Sequence, residues 1–262
     1  MPILEITTGQ FETFLMILMR VAGIVTISPI FGHKNIPATA KIGLAAAFSL
    51  ILLPVVPPLD MSFSAGLGTV VVIIAKEIAT GLLIGFTAMI LFLGLQMSGH
   101  IMGFQMGFII AQVIDPSSGQ KVSILGQVQL ILGILIFLAI DGHHLLINAM
   151  AESFAVIPLG HQVFSGASAD FLVRACIDIF AIALKMGAPM IITLFLTDVA
   201  LGIIARTVPQ MNVFIVGFPL KISTGFLTLA AAYPFISYVL IKLMHNMDRD
   251  LSNLIYALSG RI

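Results

Sequence analysis

The chain has 262 residues, of which 59% are hydrophobic and 9% are charged, and its mean hydropathy is +1.13. A soluble domain carries roughly 25% charged residues, so this composition predicts an integral membrane protein whose surface largely contacts lipid. The net charge of zero gives no electrostatic field for gathering nucleic acid, and the single Cys176 excludes an internal disulfide.

Six stretches are long and apolar enough, or nearly so, to cross a bilayer as helices of roughly 20 residues. In chain order they are Phe11–Phe31, Lys41–Val56, Gly66–Leu95, Ile124–Ala149, Phe171–Ile204 and Val213–Leu243. The most polar linker, Pro158–Asp170, is too short to form a domain. The sequence therefore predicts an all-α membrane protein of about six long helices or hairpins, some of them broken, in one domain over residues 1–262.

The basic residues of the short loops do not agree with six conventional spans. Lys34 and Lys41 predict a cytoplasmic first loop, and Lys242 and Arg249 predict a cytoplasmic tail. Six crossings would place these two regions on opposite sides. Either one of the six stretches crosses the membrane twice or not at all, or the helices do not all span a bilayer in the usual way.

Residues 99–115, GHIMGFQMGFIIAQVID, form a seventh apolar piece of half length. Small residues at four-residue spacing predict a seam for close helix packing. They are Gly99, Gly103, Gly107 and Ala111. The bulky residues of the same piece suit a hydrophobic constriction that blocks ions by dewetting. They are Met102, Phe104, Met106, Phe108, Ile109 and Ile110. From the residues alone, plain helix packing is favoured.

Several ionisable residues fall inside the apolar stretches, where charges are expensive and usually face protein or water. They are Arg20, Lys76, Glu77, Arg174, Asp178, Lys185 and Asp198. Arg174 and Asp178 are four residues apart and can pair on a helix. We expect these charges to lie at contacts between helices or subunits, which indicates an obligate complex. The functional alternative is a water-filled conduit or an ion-coupled transport site.

The tetrapeptide Asp141-Gly142-His143-His144 follows the apolar run LILGILIFLAI. Two histidines and a carboxylate are typical of metal sites and proton relays. However, neighbouring side chains on a helix are expected to point apart, and the sequence offers no further ligand. A polar helix junction is therefore favoured, and no metal or other cofactor is expected. The motifs of common enzyme classes are also absent from the sequence, so no catalytic activity is predicted.

The most distinctive stretch is RTVPQMNVFIVGFPLKI, residues 206–222. Pro209 is expected to interrupt the helix, Gly217 and Pro219 to loosen it again, and Gln210 and Asn212 to satisfy the freed backbone groups. Arg206 and Lys221 bracket the stretch and are expected to anchor it against carboxylates or carbonyls of partner subunits.

This stretch resembles the hallmark of the FliR family of flagellar export-gate proteins, whose injectisome relatives are the SctT proteins. RVAGIVTISPIFG, KEIATGLLIGF and LAIDGHHLLI carry the resemblance over nearly the whole chain. The sequence RTVPQMNVF is more similar to that of the flagellar members than to that of the injectisome members.

The resemblance implies a core subunit of the flagellar type III export gate in the bacterial inner membrane, within the flagellar basal body. Its partners would be FliP- and FliQ-like subunits, other export-apparatus proteins such as FlhB-like ones, and the unfolded rod, hook and filament proteins that pass through. Its hairpins would resemble the partner subunits, and the assembly would be raised out of the membrane plane. The resemblance also favours residues 102–110 as a plug of the closed channel. The alternatives are an SctT-type injectisome subunit and an ion-coupled transporter of a small solute; against the transporter, no pair of matching halves is evident.

Overall fold

The computed structural model describes residues 2–58, 66–108 and 123–260. Within these ranges the regular secondary structure is helical throughout, and no strand is present. The helices are α1 (Pro2–Ile27), α2 (Ala38–Leu52), α3 (Leu67–Gln105), α4 (Ile124–Ala139), α5 (Gly142–Val156), α6 (Gly166–Thr207) and α7 (Val213–Leu258). A helix is the natural choice for these apolar runs, because it satisfies its own backbone groups where no water is present.

Four helical segments are long and apolar enough to cross a membrane: Gly9–Ile27, Gly68–Gln105, Gly166–Thr207 and Val213–Leu258. The pair Ile124–Ala139 and Gly142–Val156 makes five if it is counted as one broken span. The predicted class, an all-α membrane protein, is confirmed.

Several of the predicted stretches differ from the helices that form; the sixth, expected to end at Leu243, continues to Leu258 in α7. The second stretch is α2, whose 15 residues fall short of a bilayer span, because Pro37 precedes it and Pro54 follows soon after its end. The fourth stretch is interrupted where Asp141 adopts a left-handed backbone with φ of 59°. The third stretch continues to Gln105, so residues 99–105 are the last turns of α3 rather than a separate piece.

The chain groups into two compact units, and α3, α6 and α7 each contribute residues to both. Unit 1 comprises residues 1–90, 140–175 and 245–262. Unit 2 comprises residues 91–139 and 176–244. The expectation of one membrane domain over residues 1–262 stays a prediction.

In unit 1, glycines allow the backbones of α1 and α3 to touch. A Cβ atom on Gly23 would lie 2.8 Å from the carbonyl oxygen of Ile78, and one on Gly81 would overlap the carbonyl oxygen of Arg20. Any larger residue would force the two helices apart. This close approach brings the side chain of Arg20 within reach of α3.

Candidate functional site

The candidate site lies in unit 2, where α3 ends. The amide of Met106 donates to the carbonyl of Met102, and the amide of Gly107 donates to the carbonyl of Phe104. Gly107 then turns the chain out of the helix with φ of 88°, a left-handed conformation that glycine adopts without a Cβ penalty. Ile109, Ile110 and Ala111, which were predicted as part of the plug and of the seam, lie outside the described residues.

Two methionines of the predicted constriction are core residues of unit 2. Met102 and Met106 are 1% and 0% exposed. They form an apolar cluster with residues of α4 and α6, against which side chains of α7 also pack: Leu125, Met190, Leu194, Ile222 and Leu229. Methionine fills irregular gaps well because its unbranched side chain adapts to its neighbours. Phe108 packs against this cluster, with its ring centroid 6.5 Å from that of Phe226 in an edge-to-face arrangement.

The described glycines of the predicted seam all face other chain segments closely. Gly99 meets the backbone of Gly126, and Gly103 meets the hydroxyl of Ser123. A Cβ atom on Gly107 would lie 2.7 Å from the ring of Phe218. The spacing thus places small residues where the end of α3 approaches the start of α4 and the first turns of α7.

Phe104 differs from its neighbours because 64% of its surface is exposed. It lines a cleft of about 460 Å³ together with residues of α6 and α7. The other lining residues include Gln105, Asp198, Phe214, Phe218 and Lys221. The side-chain oxygen of Gln105 is buried and has no hydrogen-bond partner within the described residues. The cleft is therefore mainly apolar, with three phenylalanine side chains and a few polar groups.

The interruption predicted at Pro209 is present. Helix α6 ends at Thr207, and α7 begins at Val213. Asn212 caps α7, because its Oδ1 accepts hydrogen bonds from the amides of Phe214 at 3.1 Å and Ile215 at 3.4 Å. This is the backbone-satisfying role that the sequence predicted for an amide side chain, whereas Gln210 is exposed and makes no such bond in the described structure.

Gly217 and Pro219, where the backbone was expected to loosen again, both lie within α7, so the helix is not broken a second time there. Proline has a backbone φ that suits a helix, and it removes one amide donor from a helix of 46 residues. Gly217 is buried, and a Cβ atom on it would come within 3.2 Å of Leu201 on α6. Its small size serves packing rather than a break.

Lys221 forms an ion pair with Asp198 of α6. Lys221 was expected to reach a partner subunit, but its counter-ion is in the same chain. The side chains are 19% and 47% exposed, so the pair lies at the surface of unit 2. Arg206 is exposed and makes no ion pair with any described residue.

Arg20 and Glu77 form the central charged pair of unit 1. Arg20 Nε donates to Glu77 Oε2 at 2.6 Å, and both side chains are fully buried. Arg20 Nη1 also donates to the carbonyls of Ser153 at 2.8 Å and Ile157 at 3.0 Å, at the end of α5. Glu77 Oε1 accepts from the amide of Gly160 at 2.8 Å. Of the two kinds of contact expected for these charges, the pair makes one between helices of the same chain, and neither side chain is exposed in unit 1.

The remaining intramembrane charges are not buried within the chain. Arg174, Asp178 and Lys185 are exposed along α6, and Lys76 on α3 is partly exposed. Their spacing allows Arg174 and Asp178 to pair, but no ion pair joins them in the described structure. Four-residue spacing permits such a pair, and exposed side chains gain little from holding it.

The histidines of Asp141-Gly142-His143-His144 do not point apart, as an ideal helix would have them. Their ring centroids are 4.1 Å apart, with the rings tilted by 36°. His144 Nδ1 lies 3.7 Å from Asp141 Oδ1. The reason is that Asp141 precedes α5 in a left-handed conformation, so the three side chains converge at the first turn.

Phe218 and Phe226 contact the end of α3 but were not singled out from the sequence. A signal was present: Phe214, Phe218, Ile222 and Phe226 follow one another at four-residue spacing. That spacing predicts one apolar face of a helix. It does not say which segment packs against the face, so the contact with Gly107 and Phe108 could not be read from it.

Comparisons with known proteins agree with the resemblance seen in the sequence. The family model of "Bacterial export proteins, family 1" matches residues 11–247. The flagellar biosynthetic protein FliR of Bacillus subtilis is 35% identical over 95% of this chain and 96% of its own length. The FliR protein of Escherichia coli is 30% identical over 89% of this chain and 90% of its own length. The FliR protein of Pectobacterium carotovorum is also 30% identical, over 83% of this chain and 83% of its own length. With its four to five apolar membrane-crossing segments, the chain therefore belongs to the FliR family, the membrane components of the bacterial flagellar export apparatus in the inner membrane.

Proposed function

We propose that this chain is a core subunit of the flagellar export gate. With FliP- and FliQ-like partners, and next to other apparatus proteins such as FlhB-like ones, it forms the channel through which unfolded rod, hook and filament proteins leave the cell. Its role is that of a conduit, and no catalytic step is assigned to it.

The observation that carries this proposal is the surface of α6 and α7. The most apolar 18-residue windows of these two helices are only 33% and 11% buried within the chain. Exposed charges, among them Asp178 and Lys185, interrupt the exposed apolar side chains of α6. Charges on a membrane-crossing helix almost always face protein or water. These faces therefore suit contacts with other protein subunits or an aqueous path better than contact with lipid alone.

Residues 102–108 supply the closing element of this proposed channel. Met102 and Met106 anchor the end of α3 in the core of unit 2, while Phe104 stands exposed beside the cleft. Deformable apolar side chains suit a constriction that excludes ions by dewetting and yields to a passing polypeptide. The assignment of these residues to a plug is our proposal.

The proposal favours the flagellar system over the injectisome, because the relatives named above are all flagellar biosynthetic proteins. A solute transporter would work as a single kind of subunit. Tagged chain purified with co-expressed FliP- and FliQ-like partners should yield one stable heteromeric complex. A functional monomer that takes up a small solute into liposomes would refute the gate assignment.

Photocrosslinking tests the conduit directly. A photoreactive phenylalanine analogue in place of Phe104 should crosslink to a hook or filament protein stalled during export. The same analogue in place of Phe11, which is similarly exposed at 60% but lies in α1, is the matched control. Crosslinks at neither position, in cells that export normally, would contradict a path past Phe104.

A further inference from the structure

We propose that Asp141, His143 and His144 bind one divalent transition-metal ion of the class of Zn²⁺, Ni²⁺ and Cu²⁺. Each residue offers one ligand atom, and these three atoms all lie within 4.8 Å of one another. All three residues belong to unit 1. The site is independent of the proposed conduit function.

The backbone brings the three side chains together. Asp141 takes a left-handed conformation with φ of 59°, and the amide of His144 donates to its carbonyl at 2.9 Å. This tight turn places the carboxylate beside the first turn of α5. The centroids of the two imidazole rings then lie 4.1 Å apart, with the rings tilted by 36°, instead of diverging.

Only a small adjustment separates this geometry from a coordinated one. Ligand atoms about 2.1 Å from a tetrahedral zinc ion are roughly 3.4 Å apart. The contact between His144 Nδ1 and Asp141 Oδ1, at 3.7 Å, is already close to that value. The side chains of His144 and Asp141 are 64% and 74% exposed, so they can rotate inward without disturbing a packed core.

His143 adds an independent observation. Its Nδ1 is buried and has no hydrogen-bond partner within the described residues. Buried polar atoms nearly always have a partner, and each exception requires a physical explanation. A hydrated ion held by the three side chains would supply the missing contact.

The donor set determines which metals fit. Imidazole nitrogen suits zinc, nickel and copper, whereas calcium and magnesium prefer sites made of oxygen ligands only. The positive end of the α5 dipole opposes a bound cation, and the carboxylate of Asp141 at that helix terminus offsets this. Three protein ligands leave at least one coordination position for water. Bound metal would fix the turn at residues 140–141 to the start of α5.

Metal binding to the full-length chain, purified in detergent with its co-expressed partners through a tag without histidine, tests the site. Saturable binding of one Zn²⁺ per chain is expected, measured by elemental analysis after dialysis. Co²⁺ should give the absorption bands of nitrogen and oxygen ligation. His143→Gln and His144→Gln should each weaken binding by about tenfold or more, in the range seen when a metal site is perturbed.

Asp141→Asn is the most informative variant. Asparagine adopts the left-handed conformation readily, so this variant keeps the turn and removes only the charge. It should also lose about tenfold or more in affinity. His33→Gln, at a histidine between α1 and α2, is the control and should bind as the parent does. Absence of saturable binding, or equal binding by the parent and both histidine variants, would overturn the proposal.

Discussion

Arg20 on α1 and Glu77 on α3 are 57 residues apart in the sequence and form a fully buried ion pair with an Nε to Oε2 distance of 2.6 Å. The same guanidinium holds the last carbonyls of α5 and lies 4.4 Å from the centroid of the Phe154 ring. Positive charge at a helix C-terminus is stabilised by the negative end of the helix dipole. One side chain thus ties α1, α3 and α5 together within unit 1.

Removing one member of this pair should destabilise the chain strongly. Arg20→Met or Glu77→Leu leaves an uncompensated charge in the core, which typically costs about 3–5 kcal/mol. The unfolding midpoint of the detergent-purified protein measures the loss. The double variant Arg20→Met with Glu77→Leu should regain a large part of it, because no lone charge remains buried. A double variant less stable than either single one would show that the hydrogen bonds to Ser153, Ile157 and Gly160 dominate instead.

Gly81→Ala should separate α1 from α3. Its new methyl group would overlap the carbonyl oxygen of Arg20, which is a backbone atom and cannot rotate away. Overpacking of this kind costs about 1–3 kcal/mol, and the yield of folded protein and its unfolding midpoint should both fall. Gly43→Ala in α2 is the matched control, because nothing lies within 4 Å of the position. That control should be neutral or slightly stabilising, since alanine favours a helix over glycine.

These two predictions show what the sequence could and could not reveal about the fold. Membrane character, helical class and the interruption at Pro209 follow from composition and from proline chemistry, which are local properties. The pairing of Arg20 with Glu77 depends on which helices become neighbours, and no local spacing encodes that. The same holds for the contact between Gly107 and Phe218, although the glycine itself was singled out. A helix junction at Asp141 was expected from its polar tetrapeptide and is present between α4 and α5, although the list of six stretches ran one helix through it.

The ion pair between Lys221 and Asp198 is expected to hold α7 against α6 next to the cleft. Lys221→Met and Asp198→Asn should each lower the yield of the complex with FliP- and FliQ-like partners. The charge-swapped variant, Asp198→Lys with Lys221→Asp, should restore it, because the two side chains still attract each other. Complex yield is measured by affinity purification and size-exclusion chromatography. Normal yields with slower export in the single variants would instead place the pair on the export path.

Gly107 and Phe218 provide the sharpest test of the proposed closure. Gly107→Ala introduces a methyl group 2.7 Å from the Phe218 ring at a backbone φ of 88°. The left-handed conformation alone costs about 1–2 kcal/mol for a residue with a Cβ atom. We expect the end of α3 to shift, and liposomes containing the complex to become leaky to small ions or dyes.

The double variant Gly107→Ala with Phe218→Ala separates the two causes of leakage, which are the clash with the Phe218 ring and the strain of the backbone at residue 107. It removes the contact with the ring but leaves the backbone strain, so leakage should fall only in part. Phe104→Ala tests the constriction itself, because the exposed Phe104 side chain can be shortened without opening the methionine core. Its folding should be unchanged, while leakage rises. Deleting residues 103–110 is a poorer test, because the deletion also removes Met106 from that core. Tight liposomes with both Gly107→Ala and Phe104→Ala, at normal complex yield, would refute the plug assignment.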